Sequence, residues 1–370
     1  MALYTMDKVL RKPDYYDAVV KTVTHKTPLQ TILKRGPKPT DWKQEVECEP
    51  ETESFEMSAP EGGDFDRTGL TKRVNMVLEH QVMKFRSKRG WSVTDESEEM
   101  PSHTEARGEK SRAREQRKDA QEVVLSIERA LSSAQEAVAR GTAASVVPVT
   151  RGLMCWLKPL TTYTDAAARA LHAVQTIPKE LCPRYGFTGD VTDAAEFNEL
   201  VFQTMLRNMA LQQGDEQNQL TMLAGLQLKA ILSNFLGVVK PVTTVETNLV
   251  RTQSADSRKK SLICDIFEYD SSIVRVLTDN HLNAVADATT KKYTVDDGQY
   301  CGALIRPQCW SIDFMTPLKN VDLPKVGDET AGYHKALLRL ACRNPLAQGA
   351  IFYQKPTTTG GESQGGGTGS

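Results

Sequence analysis

Residues 41–90 read DWKQEVECEPETESFEMSAPEGGDFDRTGLTKRVNMVLEHQVMKFRSKRG, and the charge of this stretch reverses halfway along. Nine acidic side chains and no basic one lie between Glu45 and Asp66. Glutamates at every second position predict a strand with one charged face. These glutamates are Glu45, Glu47, Glu49, Glu51 and Glu53. The second half is rich in Val, Met and Phe and predicts a basic strand that includes Lys84, Arg86, Lys88 and Arg89.

The two strands predict a long hairpin within residues 41–100, with a loop at Glu61-Gly62-Gly63-Asp64. One interpretation is that the strands neutralise each other, at about 0.2–1 kcal/mol per opposed pair. The other is that they meet complementary strips on neighbouring subunits. A two-stranded hairpin has no core of its own, which favours a partner surface. The candidate inter-subunit contacts are therefore Glu45, Glu47, Glu49, Glu51, Glu53, Lys84, Arg86, Lys88 and Arg89.

The segment before the hairpin, residues 1–40, is basic and contains Pro13, Pro28, Pro37 and Pro39. Proline removes a backbone donor and clashes with the preceding turn of a helix, so no long helix is expected there. The composition predicts an extended arm that lies on another surface.

A long helix is predicted over 102–140, with a capping box at Ser102 and Glu105 and an end at Gly141. Its apolar stripe consists of Ala120, Val123, Val124, Ile127, Ala130, Leu131, Ala134 and Val138. Its first half mixes Arg112, Arg114 and Arg117 with acidic residues at three- and four-residue spacings. This pattern favours a helix stabilised by ion pairs along its surface over a helix that recognises nucleic acid.

Further helices are predicted from Asp193 to Gly214 and over 218–236. The inner face of the first would be Phe197, Leu200, Val201, Met205 and Met209, and that of the second Leu220, Leu223, Leu226, Ala230 and Ile231. Strands are predicted at 262–267, 273–277, 311–314 and 335–340. The last residues, 356–370, have the composition of a flexible linker.

Composition argues against several classes of protein. The 46 basic and 47 acidic residues leave a net charge of −1, which disfavours a protein that coats nucleic acid over its whole surface. No apolar run approaches the roughly 20 residues that span a bilayer. The seven cysteines are scattered, as expected of buried thiols in a reducing compartment. The 370 residues are enough for two or three domains.

Motif searches predict no chemistry. The chain contains no phosphate-binding glycine loop and no H-E-x-x-H. A G-x-S-x-G string at 361–365 lies in the glycine-rich tail, where no strand and helix can form a nucleophile elbow. The six histidines are widely separated in sequence. We therefore predict that the protein is not an enzyme and has no catalytic, cofactor-binding or metal-binding residues.

The order of these elements resembles the α+β Hong Kong 97-type capsid fold of tailed phages, in the branch typified by phage SU-ten. The resemblance is carried by Thr27-Pro28-Leu29 before DWKQEVE, the turn at Gly62-Gly63, IERALSSA at 127–134, Phe197-Asn198-Glu199-Leu200, and LLRLACRNPLAQGAIF at 337–352. It implies an N-terminal arm at 1–40, an extended hairpin loop at 41–100, a spine helix with the first part of a peripheral domain at 101–190, an axial domain at 191–295, a returning β segment of the peripheral domain at 296–355, and a flexible tail at 356–370.

The resemblance also implies a function. The chain would be the major capsid protein, assembling through hexamers and pentamers into an icosahedral or prolate head in the host cytoplasm. Its partners would be other copies, portal and scaffolding proteins, decoration proteins and packaged double-stranded DNA. Basic residues expected to face the DNA are Lys8, Arg11, Lys12, Arg112, Arg114 and Arg117. Two alternatives stay open: the shell of a cellular nanocompartment, and a DNA-binding oligomer that uses the basic helix.

Overall fold

The computed structural model describes residues 26–48, 76–99, 111–140, 147–158, 177–178, 181–183, 185–213, 218–235, 266–269, 272–282, 285–286, 293–294 and 297–353. Within them the helices are α1 (Pro28–Ile32), α2 (Asp95–Glu99), α3 (Ser111–Leu131), α4 (Leu153–Trp156), α5 (Glu199–Gln213) and α6 (Leu226–Phe235). No helix in these ranges is long and apolar enough to cross a membrane.

The strands in the same residues are β1 (Lys34–Arg35), β2 (Lys43–Cys48), β3 (Met76–Gln81), β4 (Met83–Arg86), β5 (Trp91–Thr94), β6 (Gly186–Gly189), β7 (Asn218–Ala224), β8 (Ile266–Tyr269), β9 (Ser272–Thr278), β10 (Val285–Ala286), β11 (Tyr293–Thr294), β12 (Gly302–Ile305), β13 (Trp310–Asp322), β14 (Glu329–Cys342) and β15 (Gly349–Tyr353). The chain is thus a mixed α and β protein, and β13 and β14 are much longer than the predicted strands at 311–314 and 335–340.

The chain divides into two compact units. The described residues of the smaller unit come mainly from Phe85–Leu125 and Leu318–Ala336. The larger unit contains Thr27–Lys84, Ser126–Pro317 and the chain from Leu337 onward. The predicted division into arm, hairpin, peripheral and axial domains remains a prediction.

The larger unit is built around a six-stranded mixed sheet in the order β6-β15-β12-β7-β9-β8. β7 pairs in parallel with β9 and antiparallel with β12, so it lies in the middle of the sheet. Helices α5 and α6 pack on one face of this sheet and form a hydrophobic core with it. The buried core side chains include Phe202, Met205, Leu206, Met209, Met222, Leu228, Leu232, Val274, Val276, Leu304 and Ile351.

In the smaller unit, β5 pairs antiparallel with the first residues of β14, from Glu329 opposite Thr94 to Gly332 opposite Trp91. The chain returns from β13 to β14 through a turn in which Gly327 has a φ of 62°, a conformation that suits glycine. The Leu323 N–H donates to the Ala331 carbonyl at 2.9 Å beside this turn.

The predicted hairpin is confirmed in part where its residues are described. Its predicted basic strand is wrong: Lys84 and Arg86 lie on β4, which pairs with β14, and β3, the strand that pairs with β2, contains no Lys or Arg. β2 and β3 pair antiparallel from Lys43 opposite Gln81 to Cys48 opposite Met76. Residues 49–75, which include the predicted loop, lie outside the described residues.

The helix predicted over 218–236 is wrong in its first part, where residues 218–224 form β7 and the helix begins only at Leu226. Leu220, Met222, Leu223 and Ala224 are all buried because β7 is a central strand. A strand buried on both faces loses the alternation that distinguishes it from a helix. Leu226, predicted to point inward, is 55% exposed.

The long helix predicted over 102–140 ends ten residues early, at Leu131 rather than Gly141. The Ser133 hydroxyl donates to the Ala130 carbonyl at 2.7 Å and so competes for helix acceptors. Val138, predicted to lie on the helical stripe, instead pairs with Val149 through two backbone bonds of 3.0 Å. Residues 100–110, with the predicted capping box, lie outside the described residues.

The helix predicted from Asp193 begins at Glu199. Asn198 caps it, since its side-chain oxygen accepts the Val201 N–H at 3.1 Å. Met205 and Met209 face the core as predicted, but Leu200 is 71% exposed and Phe202 is buried in its place.

Candidate assembly surface

The acidic face of the hairpin is present on β2. Glu45 and Glu47 are exposed, whereas Val46 and Cys48 between and after them are half-buried. This alternation matches the predicted one-sided strand. Glu49, Glu51 and Glu53 lie outside the described residues.

No Lys or Arg of β3 lies opposite the glutamates of β2. Glu45 lies opposite Glu79, and Glu47 lies opposite Val77. Lys43 sits beside the like-charged pair, with its Nζ 2.7 Å from Glu45 and 2.8 Å from Glu79. Its hydrogen bonds, first to Glu45 and then to Glu79, raise the pKa of Lys43. In the described part of the hairpin, Lys43 thus offsets the repulsion between two glutamates.

The predicted basic residues follow β3 in sequence and lie on β4 and in the turn after it. Lys84, Arg86 and Lys88 are exposed, and Phe85 and Ser87 between them are buried. Lys84 and Arg86 therefore lie on one side of β4, about 6.6 Å apart along the strand. Arg89 is also exposed.

Strands β1, β13, β14 and β4 form a second sheet in that order, and β5 also pairs with β14. In the smaller unit, one face of this sheet packs against the interior of the unit. The Trp91 indole N–H donates to Asn320 Oδ1 at 2.8 Å, and a Cβ on Gly332 would come within 2.6 Å of the Trp91 ring. His334, two residues further along β14, contacts Asp119 of α3 through its Nδ1 at 2.7 Å. Asp119 also accepts the His334 backbone N–H at 3.1 Å, which holds this helix to this face.

Side chains alternate along a strand, so the residues next to these point to the opposite face. Arg86 confirms the assignment, because its guanidinium lies 5.9 Å from the centre of the Tyr333 ring. Lys319 and Lys335 share this opposite side with Tyr333; Lys319 is exposed and Lys335 is half-buried. We call the set of Arg86, Lys88, Lys319, Tyr333 and Lys335 the basic sheet face. Two of its lysines, Lys319 and Lys335, were missed from the sequence because they come from strands more than 200 residues after Arg86.

The basic residues predicted on the long helix have different environments. The Arg112 guanidinium lies 5.1 Å from the centre of the Trp91 ring and 3.3 Å from Asp322 Oδ2, so it is engaged within the smaller unit. Arg114 is half-buried and Arg117 is exposed. Lys8, Arg11 and Lys12 lie outside the described residues.

Within the ranges that the structure describes, no group of three His, Cys, Asp or Glu side chains lies close enough to hold a metal ion. Cys155, Cys182, Cys301 and Cys342 are buried free thiols, and burial raises the pKa of Cys342 well above its usual range. A thiol with a raised pKa is a poor nucleophile.

Known proteins resemble this chain both in sequence family and in fold. A family model described as SU10 major capsid protein matches residues 3–355. A chain of the cyanophage A-1(L) capsid asymmetric unit has 12% sequence identity and a TM-score of 0.57, covering 93% of this chain and 97% of that chain. No curated protein sequence matches.

Two further capsid structures have a similar fold. A chain from the capsid structure of the cyanophage P-SCSP1u has 10% identity and a TM-score of 0.54, covering 94% of each chain. A chain of the cyanophage Pam1 capsid asymmetric unit has 12% identity and a TM-score of 0.51, covering 95% of this chain and 99% of that chain.

Proposed function

Because this chain belongs to the SU10 major capsid protein family and is a structural subunit of a phage head shell, we propose that charged strand faces hold its copies together. The acidic face of β2 on one subunit would meet the basic sheet face of another. The observation that carries this proposal is the basic sheet face itself, a set of four cations and one tyrosine on the side of the sheet away from Trp91 and Asp119.

The two faces match in sign and in spacing. Glu45 and Glu47 are two residues apart on β2, and Arg86 of the basic sheet face is two residues from the exposed Lys84 on β4, a step of roughly 6.6 Å in each strand. Opposed charges at this spacing can pair in a fixed register. Each exposed pair contributes at most about 1 kcal/mol, so a single contact is weak and reversible. Many weak contacts per subunit add up in a closed lattice and still permit errors to be corrected.

The same proposal extends to the assembled particle. Copies would form hexamers and pentamers in an icosahedral or prolate head that encloses double-stranded DNA. A separate scaffolding protein and a portal would guide assembly in the host cytoplasm, and decoration proteins would bind the finished shell. The subunit would carry out no catalysis, and its role would be to form the shell through contacts between copies.

Contacts to DNA would be unspecific and directed at phosphates. We propose Lys8, Arg11, Lys12, Arg114 and Arg117 for this role, as in the sequence prediction. Arg112 would contribute less, because its guanidinium is already stacked on Trp91 and close to Asp322. Phosphate contacts release counterions, so retention of DNA should weaken with added salt.

The experiment is electron microscopy of particles formed by the purified chain, with and without a candidate scaffolding protein. The first variant, Lys319→Glu with Lys335→Glu, reverses two charges of the basic sheet face. The second, Glu45→Lys with Glu47→Lys, reverses the acidic face. Each should abolish closed shells, and the combination of all four changes should restore them in part.

The matched control is Lys118→Glu, a reversal at an exposed lysine of α3 outside both faces. It should assemble like the wild type. Normal shells from the Lys319→Glu, Lys335→Glu variant would contradict the pairing of the two faces. Loss of shells in both double variants, with no recovery when the four changes are combined, would show that these charges act separately and do not meet.

A further inference from the structure

A lysine of the same chain lies within the acidic face of β2. Lys43 is the first residue of β2, and its Nζ donates to Glu45 Oε1 at 2.7 Å and to Glu79 Oε1 at 2.8 Å. Glu45 lies directly opposite Glu79 in the pairing of β2 with β3. Lys43 and Glu45 are two residues apart on one strand, so their side chains point to the same face. One ammonium group therefore joins two carboxylates on that face.

The two carboxylates differ in their access to another molecule. The Glu45 side chain is 55% exposed, whereas that of Glu79 is only 10% exposed. A cation from a neighbouring copy can therefore reach Glu45 but not Glu79. The Lys43 side chain is 43% exposed, so its charge also acts on any group that approaches Glu45. Glu79 influences such a group mainly through Lys43, whose ammonium group it shares with Glu45.

A cation from another copy would experience two opposing effects at Glu45. The carboxylate attracts it, and the ammonium group that lies 2.7 Å from that carboxylate repels it. Both effects act over a few ångströms at an exposed surface, so their free energies are similar in size. The cation must therefore displace Lys43 or bind a carboxylate whose charge is already largely balanced. In either case the contact is weaker than a contact with Glu45 alone.

We propose that Lys43 competes within its own chain for Glu45 and so weakens the contact between the acidic face of β2 and the basic sheet face of a neighbouring copy. Glu79 limits this competition, because it takes part of the hydrogen bonding of Lys43. The inference rests on the pairing of charged faces proposed above and adds that Lys43 and Glu79 set its strength. A contact weakened in this way is readily broken, so a wrongly placed subunit can leave a growing shell.

The same geometry gives Lys43 a structural role, which has to be separated from competition. Like charges directly opposite each other destabilise a pair of strands, and Lys43 offsets this repulsion between Glu45 and Glu79. Loss of Lys43 should therefore loosen the first residues of the hairpin while it strengthens the contact between copies. A purely structural lysine would have the opposite effect on assembly, since a loosened hairpin binds its partner less well.

The test is the critical concentration for assembly, which is the concentration of free subunits that remains beside shells at equilibrium. It is measured on the purified full chain by sedimentation at several NaCl concentrations, under the conditions in which the wild type forms shells, and electron microscopy identifies the products. Lys43→Gln should lower the critical concentration about two- to fivefold, the change expected from one exposed ion pair per contact. The change should become smaller as added salt screens the charges.

The matched control is Lys118→Gln. It removes the same charge from another exposed lysine that pairs with a glutamate, Glu115, outside both charged faces. Its critical concentration should equal that of the wild type. A critical concentration of Lys43→Gln at or above that of this control would contradict the competition.

Glu79→Gln supplies a second measurement, of opposite sign. It leaves Lys43 bonded to Glu45 alone, so the critical concentration should rise. In the Lys43→Gln background the same change should have little effect, because Glu79 acts through Lys43. A change of equal size in both backgrounds would show that Glu79 acts independently of Lys43 and would overturn the sharing of the ammonium group.

Failure of this proposal can be told apart from failure of the pairing of charged faces. Normal assembly of the Lys319→Glu, Lys335→Glu variant contradicts the pairing itself, and with it the competition. Where that variant fails to assemble, a Lys43→Gln variant that assembles no better than Lys118→Gln overturns the competition alone. If circular dichroism shows that Lys43→Gln does not fold, an unchanged or lowered critical concentration of Glu79→Gln overturns it equally.

Discussion

The Nε and Nη2 atoms of Arg339 both donate to a single oxygen, Oδ2 of Asp313, at 3.0 and 2.8 Å. Both side chains are almost completely buried, at 1% and 3% exposure. Removal of the carboxylate leaves a buried guanidinium without its counter-charge. We expect Asp313→Ala to lower the free energy of unfolding by about 3–5 kcal/mol, measured by urea denaturation.

The control for this prediction is Lys118→Gln. The ion pair of Lys118 with Glu115 is about half exposed on both sides, so its loss should change the free energy of unfolding by less than about 1 kcal/mol. A cost for Asp313→Ala no larger than that of the control would mean that water or another group replaces the carboxylate.

Gly36 packs directly against the same carboxylate. A Cβ at this position would lie 1.9 Å from Asp313 Oδ1 and 2.6 Å from Ser311 Oγ. Because one of these atoms must move, Gly36→Ala should cost about 1–3 kcal/mol in the same denaturation assay. The cost in the double variant Gly36→Ala with Asp313→Ala should be less than the sum of the single costs, because both changes disturb one contact. Strict additivity would contradict this explanation.

Arg112 should matter for the stability of the smaller unit. Arg112→Gln removes both the stacking on Trp91 and the charge near Asp322, so we expect a loss of about 1 kcal/mol. Arg112→Lys keeps the charge but lacks the planar group that stacks, and should recover only part of it. Urea denaturation followed by circular dichroism measures this change. Arg117→Gln, on the exposed side of the same helix, is the control and should cost about 0.5 kcal/mol or less.

His80 should make the protein less stable in acid. Burial lowers the pKa of His80 to about 4 from an ordinary 6.5, against the opposing effect of the hydrogen bond between its Nε2 and the Cys342 backbone. His80 therefore binds a proton below pH 6.5 in the unfolded chain, whereas in the folded chain it binds one only below about pH 4. Stability should fall across this window by up to about 1.4 kcal/mol per pH unit.

This effect opposes that of the buried Glu128, whose pKa is raised to about 7, first by burial, so that the folded protein becomes more stable as pH falls through a similar range. The wild type should therefore show a shallow pH dependence of stability between pH 5 and pH 7. His80→Gln, studied by thermal unfolding at several pH values, should gain stability on acidification relative to the wild type. Parallel curves for the two proteins would contradict the assignment.

The sequence by itself determined the order of the elements and the sign of their charges. The alternation of Glu45 and Glu47 with Val46 marked a one-sided strand correctly. The strand at 273–277 was also identified correctly. These signals are local, because the side-chain period of a half-exposed strand depends only on neighbouring residues.

Only the tertiary structure decided which residues meet. It made 218–224 a central strand, because burial on both faces removes the alternation that a sequence can show. It added Lys319 and Lys335 to the cations of β4, and it placed the Glu128 carboxylate against the amides of Leu29 and Gln30. A charged residue in a helical pattern is expected to face solvent. Whether it is buried instead depends on a partner that can be nearly a hundred residues away, and folding alone brings that partner to it.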